Sequence, residues 1–286
     1  KGYRNIALAY KINNVKDIAN SNYIYLGFAA ITDPLRDGVK EAVRLAQEAG
    51  IEVVMVTGDH PNTAFYIAKE LGIAISKDEV MDEVEISSWI KMGAMKDEIA
   101  HKRVFARVSP EQKQLIVKAF QDLGHFVAVT GDGVNDAPAL KFANIGIAMG
   151  KSGTDVARES SDLILTDDSF GSIVNGIEEG RVAYDNIRKV VHLLISAGFA
   201  EIILVLLSML FFLPIPLLPV QLLWLNLVAN AFQNVALSTE KAEPEVLKRK
   251  PREPKEPIFN RIMISRVVTG GLYMGVSTFI VFYTLL

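Results

Sequence analysis

Short β-branched runs alternate with amphipathic segments from the start of the chain as far as residue 170. Residues 23–31 (YIYLGFAAI) read as a buried strand, and residues 37–50 as a helix with Val39, Ala42, Val43 and Ala46 on one face and Gly50 as its stop. A second strand over 51–56 (IEVVMV) ends in Thr57-Gly58-Asp59, and a helix over 63–71 closes at Gly72. The same alternation returns further on: a helix over 110–123, then a strand over 126–129 that ends in Thr130-Gly131-Asp132. Apolar runs at 145–149 and 163–165 complete the set. Strands that alternate with helices predict a parallel sheet covered by helices on both faces.

Beyond residue 189 the periodicity gives way to long apolar stretches. Residues 190–213 carry only His192 and Glu201 as ionisable groups and exceed the ~20 residues that span a bilayer. Pro214 and Pro216 break that stretch before a second one over 217–237. A third candidate span covers 267–286. Between the second and third lies a charged loop, 240–262, with Pro244, Pro251, Pro254 and Pro257. Its basic run Lys248, Arg249, Lys250, Arg252 and Lys255 is expected on the cytoplasmic side by the positive-inside rule, which outweighs a nuclear-targeting reading of the same residues. A membrane protein whose soluble part and 240–262 loop both face the cytoplasm is therefore expected.

Composition refines this picture. Half the residues are hydrophobic, and the mean hydropathy of +0.25 averages over a charged part and an almost uncharged one. A net charge of −3 argues against nucleic acid as a partner, because phosphate binding relies on clustered Lys and Arg. The absence of cysteine excludes disulfides and thiolate metal sites. The sequence opens on Lys1 with no leader pattern, as expected of a piece of a longer chain.

Parallel sheets bind ligands at the carboxyl ends of their strands, so the repeated Thr-Gly-Asp makes Asp59 and Asp132 candidates for one shared site. The second copy is richer: TGDGVND, residues 130–136, sets Asp132 and Asp136 four apart with Asn135 between them. Mg²⁺ takes hard oxygen ligands, often one or two carboxylates with phosphate and water, and this pair suits it better than helix capping alone would require. Lys113, in SPEQK near the start of a helix, would by itself be read as a surface lysine. In the membrane part Glu201 is a functional candidate because an ionisable group there is costly. The second span adds Gln221, Asn226, Asn230, Gln233 and Asn234; Asn226 and Asn230 share a helix face. Cation coordination and hydrogen-bonded helix–helix contact are both open to these amides, with the cluster favouring coordination.

TGDGVNDAPALKFANIGIAMG, together with DPLRDGVKEAV, VTGDHPNTA and ARVSPEQK in the same order, resembles the phosphorylation domain of the P-type ATPases. PVQLLWLNLVAN and RKPREPKEPI resemble the type II, calcium-pump-like branch. The resemblance implies a haloacid-dehalogenase-like α/β domain over 1–180, of Rossmann-type parallel sheet, followed by an α-helical transmembrane region over 181–286. It implies ATP-driven cation transport through an aspartyl-phosphate, with ATP and Mg²⁺ as cofactors and the lipid bilayer, the cation and the remaining N-terminal part of the same pump as partners. By the same resemblance Asp132 and Asp136 are Mg²⁺ carboxylates, Asn135 a phosphate-site partner, Lys113 the charge-stabilising lysine and Thr57 a donor to the phosphoryl oxygens. Asp59 and Arg107 fall at the nucleotide edge, Asp33 and Arg36 in the hinge-side motif, and Glu201, Asn226 and Asn230 at the transported cation. The 168–189 segment leads without proline into the first span and, if helical throughout, connects the Asp132 site mechanically to Glu201, although an ordinary amphipathic juxtamembrane helix reads the same way.

Two departures qualify the match. The family's acceptor lies in Asp-Lys-Thr-Gly-Thr, which occurs nowhere in this sequence, so the acceptor Asp, the nucleotide-binding and actuator domains and the earlier membrane helices are expected outside it, and the chain by itself is expected to be inactive. Asp33 is a poor substitute, since soluble phosphatases of this fold use a second Asp two residues on and Leu35 stands there. In the membrane, Asn230 stands where calcium pumps have aspartate, Ala229 where they have threonine and Gly198 where they have asparagine. Ca²⁺ takes about six to eight oxygens and favours several carboxylates; these spans offer Glu201. A membrane-tethered phosphatase of the same fold and a non-catalytic regulatory subunit are the alternatives.

Overall fold

The computed structural model describes residues 4–10, 23–31, 34–93, 98–253 and 256–286, which form two compact units, 1–174 and 175–286. Asp33, Pro254 and Lys255 lie outside the described residues. In the first unit β1 (Arg4–Tyr10) and β2 (Ile24–Ile31) pair antiparallel. Contrary to the expectation of a buried strand, most of β2 is exposed, including Tyr25, Leu26 and Phe28, because among the described residues its ladder partner is β1 alone.

The core is built around a short strand that periodicity did not reveal. After α1 (Val39–Glu48), β3 (Met55–Val56) and α2 (Pro61–Leu71), the chain forms β4 (Val80–Met81), α3 (Glu83–Met92) and β5 (Val104–Phe105). These strands make a parallel ladder in the order β3-β5-β4. Side chains on a strand alternate between faces, and here the alternation sorts two cores. Val104 and Ala106 pack with Val43, Ala64, Ala68 and Leu71 of α1 and α2. Phe105 turns the other way, against Met81, Ile86, Ile116 and Phe120. The last two belong to α4 (Pro110–Asp122), so helices cover both faces of the ladder.

A second parallel ladder, ordered β6-β7-β8, comprises β6 (Ala128–Gly131), β7 (Ile145–Met149) and β8 (Leu163–Leu165), with α5 (Ala137–Phe142) and α6 (Asp155–Glu159) between them. Among the described residues the expected parallel strands thus fall into two ladders, with β1 and β2 as an antiparallel pair. β3 and β6, the two strands that run into Thr-Gly-Asp, are each the end strand of a ladder. At Gly146 an added Cβ would stand 2.5 Å from the Leu140 carbonyl oxygen, so α5 sits directly on β7 only because that position lacks a side chain.

Helix α7 (Phe170–Leu210) is continuous over 41 residues and contains no proline, so the expected 190–213 span is the later part of a longer helix. The second apolar stretch begins at Pro219 and is α8 (Pro219–Trp224), a π-helical turn (Leu225–Ala229) and α9 (Asn230–Ser238). α10 (Arg261–Leu285) starts six residues before the expected third span, its first turn capped by the Asn260 side chain on the Met263 N–H. Both α7 and α10 are long and apolar enough to cross a membrane. Within the second unit they approach closely at Gly271 and Gly275, where an added Cβ would stand 2.6 Å from the Phe199 ring and 2.7 Å from Ile203 Cβ. Large apolar side chains such as Leu206, Phe232 and Ile280 point outward from these helices, the arrangement lipid rather than water would stabilise.

The 238–252 loop is strapped to α7 by polar contacts. Arg181 Nη1 donates to the carbonyls of Val246, Leu247 and Arg249, and Asn186 Nδ2 donates to those of Ser238 and Glu240. Lys189 pairs with Glu240 and Glu243, and the Arg252 guanidinium lies 3.6 Å from the Tyr184 ring centroid. A hydrogen bond from Lys189 chiefly holds the Glu243 carboxyl below the usual carboxylate range.

Candidate functional site

The first cluster is built on the two strand-end turns. Thr57 follows β3 and is tied by its N–H to the Phe105 carbonyl at 2.9 Å, while its own carbonyl accepts from Val108 N–H at 3.1 Å. Its hydroxyl donates to Asp59 Oδ2 and accepts from the Asp59 N–H, both at 3.1 Å, which closes the Thr-Gly-Asp turn on itself. Arg107 N–H donates to the Asp59 carbonyl at 3.0 Å, with Arg107 in the left-handed region at φ 53°. Thr57, Asp59 and Arg107 are thus brought together by backbone geometry, with the side chains of Asp59 and Arg107 exposed.

From Arg107 the chain passes directly into the helix that carries Lys113. Ser109 caps α4 reciprocally with Gln112: Ser109 Oγ accepts from Gln112 N–H, and Gln112 Oε1 accepts from Ser109 N–H. Pro110 occupies the first turn, where its missing N–H costs nothing. Gln112 is buried and donates to Ser87 Oγ, which fixes the first turn of α4 against α3. Lys113 therefore leaves a rigid helix start, and its ammonium reaches Asp136 Oδ1 at 2.6 Å.

Asp136 is the keystone of the second turn. Its Oδ1 accepts from Lys113, and its Oδ2 accepts from the N–H groups of Asp132 (3.3 Å) and Gly133 (3.1 Å). The carboxylate is 15 % exposed, so its charge is compensated by an ammonium and two amides rather than by water. Gly131 makes room for it, since a Cβ there would stand 2.5 Å from Asp136 Cβ. Asp132 and Asn135 are held in the same loop with their side chains exposed, and no hydrogen bond engages the Asp132 carboxylate among the described residues. Of the two aspartates, Asp132 keeps its carboxylate free of hydrogen bonds among the described residues, while Asp136 organises the loop. No direct hydrogen bond joins Thr57 to Lys113 or Asp136 among the described residues; residues 107–113 connect them through the chain.

Sequence reading missed the supports of this loop. Thr154 N–H donates to the Asp132 carbonyl at 2.8 Å, and its hydroxyl caps α6 by accepting from Ala157 N–H. The Thr-Asp pair ahead of a short helix is a cap signature that marks this position. Asp168, also left-handed at φ 56°, accepts from Lys151 N–H (2.9 Å) and Ser152 N–H (2.7 Å), and its carbonyl accepts from Arg36. The Lys151 amide chiefly holds the Asp168 carboxyl down, at about 2 against an ordinary 3.8. A depressed acid contributes stability above its unfolded value and loses it as pH falls through its folded value. The stability owed to Asp168 should therefore be complete above about pH 4 and vanish towards pH 2. Asp168→Asn should melt lower at neutral pH and show a shallower decline over that acid window; equal slopes for the two proteins would contradict the assignment.

In the second unit, Asn226 Nδ2 donates to Glu201 Oε2 at 3.1 Å, and Asn230 Nδ2 donates to Asn226 Oδ1 at 3.1 Å. The π-helical turn contains Asn226, ends just before Asn230 and widens the helix there; such turns are frequent at functional positions. Gln221 is spent on capping, its Oε1 accepting from Leu218 N–H, and Gln233 is exposed.

Two family models match the chain: haloacid dehalogenase-like hydrolase over residues 7–144, and cation transporting ATPase, C-terminus, over 214–286. A calcium-transporting ATPase of Bacillus subtilis (strain 168) is 44% identical over 284 residues, 98% of this chain and 32% of that protein. The chain belongs to the P-type ATPase family. Among its P-type relatives, the cation-transporting ATPase pma1 of Synechocystis sp. is 44% identical over 90% of this chain and 28% of its own length. The sodium/potassium exporting P-type ATPase cta3 of Schizosaccharomyces pombe is 40% identical over 96% of this chain and 29% of its own length. A zinc-transporting PIB-type ATPase in its E2.Pi state superposes with a TM-score of 0.53 at 31% identity, over 76% of this chain and 30% of that one. The chain spans about a third of the length of the P-type ATPases it matches.

Proposed function

We propose that these residues form the Mg²⁺- and phosphate-handling domain and three membrane helices of an ATP-driven cation pump that works through an aspartyl-phosphate. The observation that carries this reading is the coupled geometry of Lys113, Asp136 and the Asp132 loop at the end of β6. Phosphoryl transfer asks chiefly for positioning and for neutralisation of developing charge. Asp132 offers the free carboxylate for Mg²⁺, with Asp136 beside it; the metal would polarise phosphoryl oxygens and neutralise their charge. Lys113 brings a mobile cation that Asp136 parks within reach of the phosphate. Asn135 offers an exposed carboxamide to the phosphate, and Thr57 a hydroxyl that can turn from Asp59 to a phosphoryl oxygen. Asp59 and Arg107 lie at the nucleotide edge.

Among the described residues the outer edges of β3 and β6 are unpaired, which supports an acceptor strand supplied from outside this sequence. A ladder edge is a template for another strand, and both edges lead into a Thr-Gly-Asp turn. Glu201, Asn226 and Asn230 form the cation site, and the basic 248–252 run orients the loop and the first unit towards the cytoplasm. With γ-labelled ATP and Mg²⁺, the 286-residue chain alone should take up no acid-stable label, whereas the polypeptide extended to include an Asp-Lys-Thr-Gly-Thr segment should take it up on that segment. Acid-stable label on the 286-residue chain itself would overturn the reading.

A further inference from the structure

The face of α9 that carries Asn230 carries a third carboxamide, Asn234, whose Oδ1 is buried and without a hydrogen-bond partner. Three observations bear on its role. The first is position. An α-helix advances about 100° per residue, so side chains repeated every fourth residue drift round it. The π-helical turn that runs through Asn226 to Ala229 takes more residues per turn and offsets that drift, which keeps Asn226, Asn230 and Asn234 in one stripe. The stripe faces α7 at both ends: Asn226 donates to Glu201, and the Ser238 carbonyl accepts from Asn186.

The second observation concerns what α7 presents between those ends. Stepping from Asn186 towards Glu201 by threes and fours gives Val190, Leu193 and Ala197, none of which has a side-chain donor, and the buried donors of the same stretch, His192 Nε2 and Ser196 Oγ, make no hydrogen bond to Asn234. An asparagine serving as helix–helix glue would find its partner there, as Asn226 finds Glu201. Asn234 does not.

The third is the direction of the hydrogen bonds already made. Asn226 and Asn230 each spend an N–H along the chain towards Glu201, which leaves Asn230 Oδ1 as an acceptor one helical turn from Asn234 Oδ1. Side chains four apart have Cβ atoms about 5–6 Å from each other, near enough for two carboxamide oxygens to touch one ion. A cation satisfies such a pair of oxygens without needing a hydrogen-bond donor on either helix.

We propose that Asn234 is a further ligand of the transported cation, forming with Asn230 a pair of neutral carboxamide oxygens on the Ser238 side of the Glu201–Asn226 pair. This rests on the reading of Glu201, Asn226 and Asn230 as the cation site. The test is equilibrium binding of ²²Na⁺, ⁸⁶Rb⁺ and ⁴⁵Ca²⁺ to the whole polypeptide carrying this sequence, in lipid nanodiscs. For whichever ion the wild type retains, Asn234→Ala should weaken binding about ten- to a hundredfold, in the range lost when a metal site is deprived of a supporting group. Asn234→Asp, which returns an oxygen and adds charge, should recover binding and shift preference towards ⁴⁵Ca²⁺; a residue with a purely structural role would produce no such shift. If both variants bind as the wild type does while Glu201→Gln has lost binding, the site stands and Asn234 is no part of it. If Glu201→Gln also binds normally, or the wild type binds none of the three ions, the underlying site reading falls and the proposal with it.

Discussion

Asp132→Asn in the complete polypeptide is expected to lower phosphoenzyme formation by at least ~10²–10³-fold, the cost of removing a single pre-aimed charge-stabilising group. The substitution is nearly isosteric and the Asp132 side chain is exposed, so the fold should be untouched. The backbone contacts that hold the loop, from Asp132 N–H to Asp136 and from Thr154 N–H to the Asp132 carbonyl, survive it. What is lost is the free anionic oxygen, and with it affinity for Mg²⁺. The half-saturating Mg²⁺ concentration should therefore rise while nucleotide binding changes little. A normal Mg²⁺ dependence in Asp132→Asn would remove this carboxylate from the metal site. Asp136→Asn should behave differently: it breaks the Lys113 ion pair and loosens two amide contacts, so its loss of activity should come with a lower melting temperature.

Glu201→Gln is expected to weaken the cation dependence of phosphorylation by tenfold or more, ~1.4 kcal/mol or above, and to leave Mg²⁺ dependence intact. Glu201 is the acidic residue of α7 that meets the amide stripe, through Asn226. Glutamine keeps the length and one carbonyl oxygen but removes the charge that compensates a dehydrated ion. Unchanged cation dependence in this variant would exclude Glu201 from the site.

Those two candidates stand out in the sequence because each is chemically out of place in its surroundings: a second Thr-Gly-Asp at a strand end, and a carboxylate in an apolar span. Much of the fold was legible for a related reason. The helix over Pro110–Asp122 and the strands Ile145–Met149 and Leu163–Leu165 are bounded by strong local signals, a capping box with Pro in one case and polar turns in the others. β4 and β5 escaped because each pairs over only two residues, too few for periodicity to register, although β5 carries the largest fully buried side chain of its core, Phe105. β2 misled because apolar composition encodes a wish to be covered, and its described surroundings cover only one edge.

The division of labour between Asp132 and Asp136 depends on Lys113, which is 23 residues away from Asp136 and comes near it only through the packing of α4. No spacing rule carries that information. The π-helical turn is similarly invisible, because LNLVA reads as ordinary α-helix; yet Asn226 lies within it and Asn230 directly follows it.

The central claim is that the Asp132 loop and Glu201 serve one transport cycle. The most direct measurement is ATP-driven uptake of labelled cation into proteoliposomes by the complete polypeptide, with Mg²⁺-dependent phosphoenzyme read in the same preparations. The wild type is expected to show both, Asp132→Asn to lose both, and Glu201→Gln to lose uptake and cation-dependent phosphorylation while keeping its Mg²⁺ dependence. Uptake that persists in either variant would contradict the claim.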